Sequence, residues 1–301
     1  MAGKDNNSQK DSTDTGIIYE DGKPRIPTPD WRENKPGVKD SDIYTIQTGY
    51  DENTELTWWS GRNVGGFTIG LMHVRANVPM MPGNVSNATT FPFPMLYREL
   101  QPHNTIDVMA MEPTEDFTDA VVDIANWFEL QGVSAITTNC GFFGTYQLAV
   151  SERINTPFFS SSLMQIPMVL QSIPRNKKVA VITANGPLLT EVPAIENCGV
   201  SAENKANRLV IEGCENSPEF SSTVMMNAPR YSPYKLEQEI LEATLRATDN
   251  HDIGAVVFEC TELSPHAAAI QNAVRLPVYD FTTMINYMYS AAVRREFTGH
   301  I

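Results

Sequence analysis

Residues 133–140, VSAITTNC, form a short apolar run rich in β-branched side chains, and residues 253–260, IGAVVFEC, repeat the pattern at an offset of 120 positions. Neither run has a helical period, so each reads as a buried strand ending on a cysteine. The echo continues without a gap: Cys140 falls on Cys260, Ala149 on Ala269, Pro157 on Pro277 and Met164 on Met284. After each thiol comes a helix-compatible segment (144–154 and 265–274), then a short strand opened by proline (PFFSSS and PVYDFT), then a Met-containing amphipathic run. This repeat predicts an α/β fold of two pseudo-twofold-related domains, each a mostly parallel sheet flanked by helices, with the active site at the interdomain cleft.

A free cysteine more often packs as a small hydrophobe. Here the neighbours argue otherwise, because Thr137, Thr138, Asn139 and Gly141 surround the first thiol and Glu259, Thr261 and Glu262 the second. Crevices at the carboxyl ends of parallel strands are where α/β proteins bind ligands, so Cys140 and Cys260 read as two opposed acid/base groups.

Outward from these strands, residues 1–60 are polar and read as a flexible or loosely wrapped extension, its end anchored by Trp58 and Trp59. A first buried strand begins near Gly65 (GGFTIGLM), and the proline-rich loop 77–94 follows, with Gly83, Asn84, Asn87, Thr89 and Thr90 as donors for a carboxylate. Strands are expected at 93–100 and 106–109. Thr114 then starts a helix that carries Ala120, Val121, Ile124, Trp127 and Phe128 and ends at Gly132. The cluster at 174–178 marks a junction, after which a strand at 179–182 ends in the turn Thr183-Ala184-Asn185-Gly186-Pro187. That turn matches the long loop of the first half and makes Thr183 and Asn185 ligand candidates. A strand at 208–213 and a helix at 234–249 follow, and Cys198 and Cys214 read as structural. The expected boundaries are 61–174 plus 276–301 for the first domain and 175–275 for the second.

The chain has 301 residues, enough for two modest cores, and a formal charge of −14. That charge argues against nucleic acid or an anionic membrane as a partner. No apolar run is long enough to span a bilayer, and the N-terminus lacks the apolar core of a signal peptide, which predicts a cytoplasmic protein. Four unpaired cysteines fit a reducing compartment, with a Cys140–Cys260 disulfide as the less favoured alternative. No zinc-like spacing occurs, so no metal is expected. The sequons at Asn84 and Asn87 read more simply as turn residues.

A thiol at a strand-to-helix turn is expected to have a lowered pKa, because backbone N–H groups favour the thiolate. Such a base would take a proton from carbon next to a carboxylate, with Asn139, Gly141, Thr138 and Thr261 as donors to the growing charge. Glu262 and His266 are supporting acid/base candidates. A cysteine hydrolase would need an oriented histidine, and only His266 lies near a cysteine, at solvent or the cleft rim.

At these residues the chain resembles the aspartate/glutamate racemase superfamily. Glu259-Cys260-Thr261-Glu262-Leu263 is similar to the Gly-Cys-Thr-Glu-Leu of aspartate racemases, whereas Thr138-Asn139-Cys140-Gly141-Phe142 departs from their Cys-Asn-Thr order. The branch that includes algal dimethylsulfoniopropionate lyases is similar over about residues 65–292. The shared stretches are Asn139-Cys140-Gly141-Phe142 with Tyr146-Gln147, Thr183-Ala184-Asn185-Gly186, Gly213-Cys214-Glu215, the Cys260 motif, and Leu276-Pro277-Val278. The resemblance implies a cofactor-independent enzyme with two catalytic cysteines, a small carboxylate substrate and a homo-oligomer. The first expectation is racemisation of an acidic or other small amino acid. The alternative is β-elimination from a sulfonium propionate, giving dimethyl sulfide and acrylate.

Overall fold

The computed structural model describes residues 18–20, 23–25, 65–109, 113–226, 228–249, 252–294, 297 and 299–300. The chain divides into two compact units, Met1–Asn63 and Val64–Ile301. In the first, β1 (Ile18–Glu20) and β2 (Lys23–Arg25) pair antiparallel with Tyr19 opposite Pro24. Trp58 and Trp59 lie outside the described residues.

The second unit holds two four-stranded parallel sheets with the same strand order. In one, β3 (Ile69–Arg75) lies between β4 (Met95–Asn104) and β5 (Ala135–Thr138), with β6 (Phe158–Phe159) beyond β5. In the other, β7 (Lys178–Thr183) lies between β8 (Leu209–Gly213) and β9 (Ile253–Phe258), with β10 (Val278–Tyr279) beyond β9. Ile136 pairs with Phe158 and Thr137 with Phe159, while Val256 pairs with Val278 and Val257 with Tyr279. The sequence echo is therefore an echo in hydrogen-bond register.

Parallel strands buried on both faces need helices on both faces, and the apolar runs of β5, β7 and β9 supply both faces with side chains. Helix Glu115–Leu130 covers one face of the first sheet through Phe117, Val121, Ile124 and Phe128. It sits so close that a Cβ on Gly70 of β3 would lie 2.6 Å from Phe128 Cδ1. Helix Pro233–Thr248 does the same for the second sheet, with Leu236, Ile240, Ala243 and Ala247 against Ala180, Ile182 and Val256.

The remaining faces are covered by exchange between the halves. Helix Ile166–Ser172 follows β6, yet its Ile166 and Val169 share a core with Val179, Val181, Ala255 and Val257 of the second sheet. Helix Phe281–Ala292 follows β10 and packs Phe281, Met284, Ile285 and Met288 on Ile69, Leu71 and Ala135 of the first. Each proline-opened strand completes its own sheet and the helix after it clamps the other. The segment from 276 on, expected to return to the first half, thus divides at Asp280. There a capping box starts the helix, with Oδ1 accepting from Thr283 N–H at 2.8 Å and Asp280 N–H donating to Thr283 Oγ1 at 2.9 Å.

The strand expected at 106–109 is instead a helical turn, Thr105–Val108. β4 runs on to Asn104, opposite Arg75 at the end of β3, and the chain enters this turn directly after it. After each thiol the chain first makes a 3₁₀ turn, Gly141–Tyr146 or Ser264–His266, before the α-helices Gln147–Ser151 and Ala267–Val274. Among the described residues no helix is long and apolar enough to cross a membrane.

Candidate active site

The residue before each thiol hooks onto the central strand of its own sheet. Asn139 Oδ1 accepts from Val74 N–H at 2.8 Å and its Nδ2 donates to Val74 O at 3.0 Å. Glu259 Oε2 accepts from the Thr183 hydroxyl at 2.7 Å, and Glu259 N–H donates to Ile182 O at 2.8 Å. These hooks fix the end of β5 on β3 and the end of β9 on β7.

The residue after each thiol then meets the opposite strand end. The Thr261 hydroxyl donates to Asn139 O at 3.0 Å. Gly141 lies flat against Glu259, where a Cβ would run into its carbonyl oxygen and its Oε1. The Ser162 hydroxyl adds a bond to Phe258 O at 2.7 Å. The two strand ends are thereby locked across the pseudo-twofold axis, and both thiols on them are free and half-buried.

The electrostatics correct one expectation. Both thiols are pushed up rather than down, first by burial and then by Glu259 and Glu262. The expected N–H groups are present, from Phe142 to Cys140 and from Glu262 to Cys260, and they oppose the shift without reversing it. A charge on Cys140 raises Cys260 further. Burial also pushes Glu259 up to about 7, against the Thr183 hydroxyl and the Ala184 N–H, and pushes Glu262 up to about 7, against the Asn84 amide.

A stability prediction follows from Glu259, whose folded pKa lies above its unfolded value. The folded chain then holds a proton that the unfolded chain releases, so the contribution is whole below about 4.5 and is lost as pH rises through about 7. The loss amounts to about 3 kcal/mol. Thermal melts should show Tm falling between pH 5 and 8, and the Glu259→Gln variant should show a flatter dependence; an equal slope in the variant would refute the assignment.

Several residues expected to face a substrate also make bonds within the fold. The Thr138 hydroxyl donates to Ser160 O at 2.6 Å, and Asn185 caps helix Gly186–Glu191 by accepting from Leu188 N–H at 3.0 Å. Asn87 Nδ2 donates to Met80 O at 2.9 Å and the Thr90 hydroxyl to Asn84 O at 2.6 Å, both within the loop. His266 is not at solvent: it is 3% exposed, with Nδ1 at 3.2 Å from Glu237 Oε2 on helix Pro233–Thr248. Cys198 and Cys214 are buried in the cores.

What the sequence reading undervalued is Glu259 itself and the fastening of the loop. Asn84, buried, donates from Nδ2 to Glu262 Oε2 at 2.8 Å. Gly83, at φ +100°, rests on Pro265, and the Tyr231 hydroxyl donates to Pro79 O at 3.0 Å. The loop after β3 is pinned in this way to the turn after Cys260 and to Tyr231.

Two parallel sheets of like order, joined at strand ends that each present a thiol, define a two-sheet α/β protein with a candidate site at that junction. No family model matches the chain. It is 31% identical to dimethylsulfoniopropionate lyase 3 of Emiliania huxleyi over 74% of this chain and 59% of that protein. It is 30% identical to lyase 7 of the same organism over 74% of this chain and 67% of that one. The chain therefore spans between three fifths and two thirds of these relatives' length. Among solved structures, an aspartate racemase homologue from Pyrococcus horikoshii OT3 superposes with a TM-score of 0.50 at 16% identity, covering 75% of this chain and 98% of that one. The chain belongs to the dimethylsulfoniopropionate lyase family, and its fold is the one seen in the aspartate racemase homologue.

Proposed function

We propose that the chain is a dimethylsulfoniopropionate lyase. A cysteine thiolate removes the α-proton of the propionate, the electron pair of that C–H bond forms the new double bond, and the neighbouring carbon–sulfur bond breaks with its pair on sulfur. Dimethyl sulfide leaves as a neutral molecule, acrylate remains, and the proton stays on the thiol. The observation that carries this reading is the one-sidedness of the site. The thiols are equivalent by position, but Glu259 and Glu262 of the second half stand where the first half has Asn139 and Phe142. Inversion asks for two like bases on opposite faces, whereas elimination asks for one base and an acidic group, here Glu259 where aspartate racemases carry glycine, to hold the positive sulfonium of the bound substrate. The names of the relatives support the same reading.

Amino-acid racemisation is the second reading, favoured by one observation: each thiol has the backbone N–H two residues on as its partner. Proton NMR in heavy water with dimethylsulfoniopropionate, aspartate and glutamate separates the two. Acrylate with dimethyl sulfide is the expected outcome. Loss of an amino acid's α-proton signal without new products establishes racemisation instead, and silence from all three overturns the lyase.

A further inference from the structure

Glu259 is 1% exposed, Oε2 is held by Thr183, and Oε1 is buried with no hydrogen-bond partner among the described residues. That bare oxygen lies against Gly141, the residue after Cys140, while Glu259 itself precedes Cys260 in the chain. One carboxyl group is thus placed at the crossing of both thiol-bearing strand ends. We propose that Glu259 is the positioning residue that governs ionisation of the Cys140 and Cys260 thiols, its carboxyl group and the pair exchanging a single negative charge. The inference rests on the reading of Cys140 and Cys260 as the reacting thiols.

Once pH has passed about 7 the resting site has an ionised Glu259 and two thiols. To make the base, the S–H bond breaks with its electron pair on sulfur and the proton passes to Glu259, so the net charge is unchanged. The thiolate then accepts the α-proton of substrate, and Glu259 finally releases its proton to water. Thiolate content in such a coupled pair stops rising once Glu259 has ionised, because a further charge must form beside an existing one. The other groups that face this arrangement are Glu262, held by Asn84, and Cys198, on which Glu259 also acts; at both thiols the effect of Glu259 exceeds that of Glu262.

The test is alkylation by iodoacetamide of the full chain without substrate, followed at the Cys140 and Cys260 peptides by mass spectrometry from pH 6 to 9. In the parent protein the rates should flatten above about pH 7. In Glu259→Gln they should agree with the parent within about twofold at pH 6 and exceed it about tenfold or more at pH 8.5, the size expected when a neighbouring charge is removed. Glu259→Asp, which keeps the charge, should restore the flattening. Thr183→Val, which removes the hydroxyl that lowers Glu259, should move the break to higher pH. Parallel profiles in parent, Glu259→Gln and Thr183→Val would overturn the proposal. Because no substrate is present, failure of the lyase reading in the NMR experiment leaves this outcome readable on its own.

Discussion

Replacing Cys140 by serine is expected to lower kcat/KM for acrylate formation by about a thousandfold or more, and replacing Cys260 by serine to lower it by about tenfold to a hundredfold. Serine preserves the shape of the site but is a far weaker acid than a thiol, so it cannot supply an anionic base at neutral pH. The inequality comes from the charges. Cys260 sits between Glu259 and Glu262 in the chain, feels both carboxylates, and is raised again by a charge on Cys140. Cys140 comes from the half without carboxylates at the equivalent positions and is raised less, so in the proposed elimination it would be the base and Cys260 would remain a neutral thiol on the other side. Initial-rate measurements on the two variants check this. Equal large losses would favour a two-base inversion site, and full activity in both variants would remove the cysteines from the mechanism altogether.

The architecture was legible because its signal is local and repeated. Residues 133–140 and 253–260 carry their burial in their own composition, and the 120-residue echo fixes the equivalence of β5 with β9 and of β6 with β10. The cap at Asn185 could also have been read, since Asn-Gly-Pro is a helix-start pattern. The roles of side chains around the thiols were not legible in the same way. Asn139 lies next to a cysteine in sequence, but what it does is set by Val74, 65 residues away, and Glu262 is set by Asn84, 178 residues away. Proximity to a thiol along the chain places a donor near the site; it does not say whether the donor is already used. The same limit explains the thiol pKa values. Turn N–H groups are visible in the pattern, while the burial that outweighs them arises only when the two halves close on each other.

Gly141→Ala tests that closure directly and should be among the most destabilising single-methyl additions in the chain. The reason is steric and not conformational, for Gly141 is absent from the positive-φ glycines. Its added Cβ would meet the carbonyl oxygen, Oε1 and Cδ of Glu259. None can retreat cheaply: Glu259 N–H is bonded to Ile182 O, Oε2 is bonded to Thr183, and the Ser162 hydroxyl grips the carbonyl of Phe258 just before it. Overpacking at so constrained a point costs about 3 kcal/mol. Urea unfolding should show that loss, with Gly65→Ala, where an added Cβ meets nothing within 4 Å, as the neutral control. Combining Gly141→Ala with Glu259→Ala should recover part of the loss, because the carboxyl clash is relieved while the carbonyl clash stays. An unperturbed Gly141→Ala would mean that the strand ends do not cross as described. The pseudo-twofold mate gives the same argument in reverse: at the position of Gly141 the other half carries Thr261, whose larger side chain fits because it faces the carbonyl of Asn139, whose amide is turned away onto Val74. A small residue against the glutamate and a hydroxyl against the asparagine are the two halves of one packing solution.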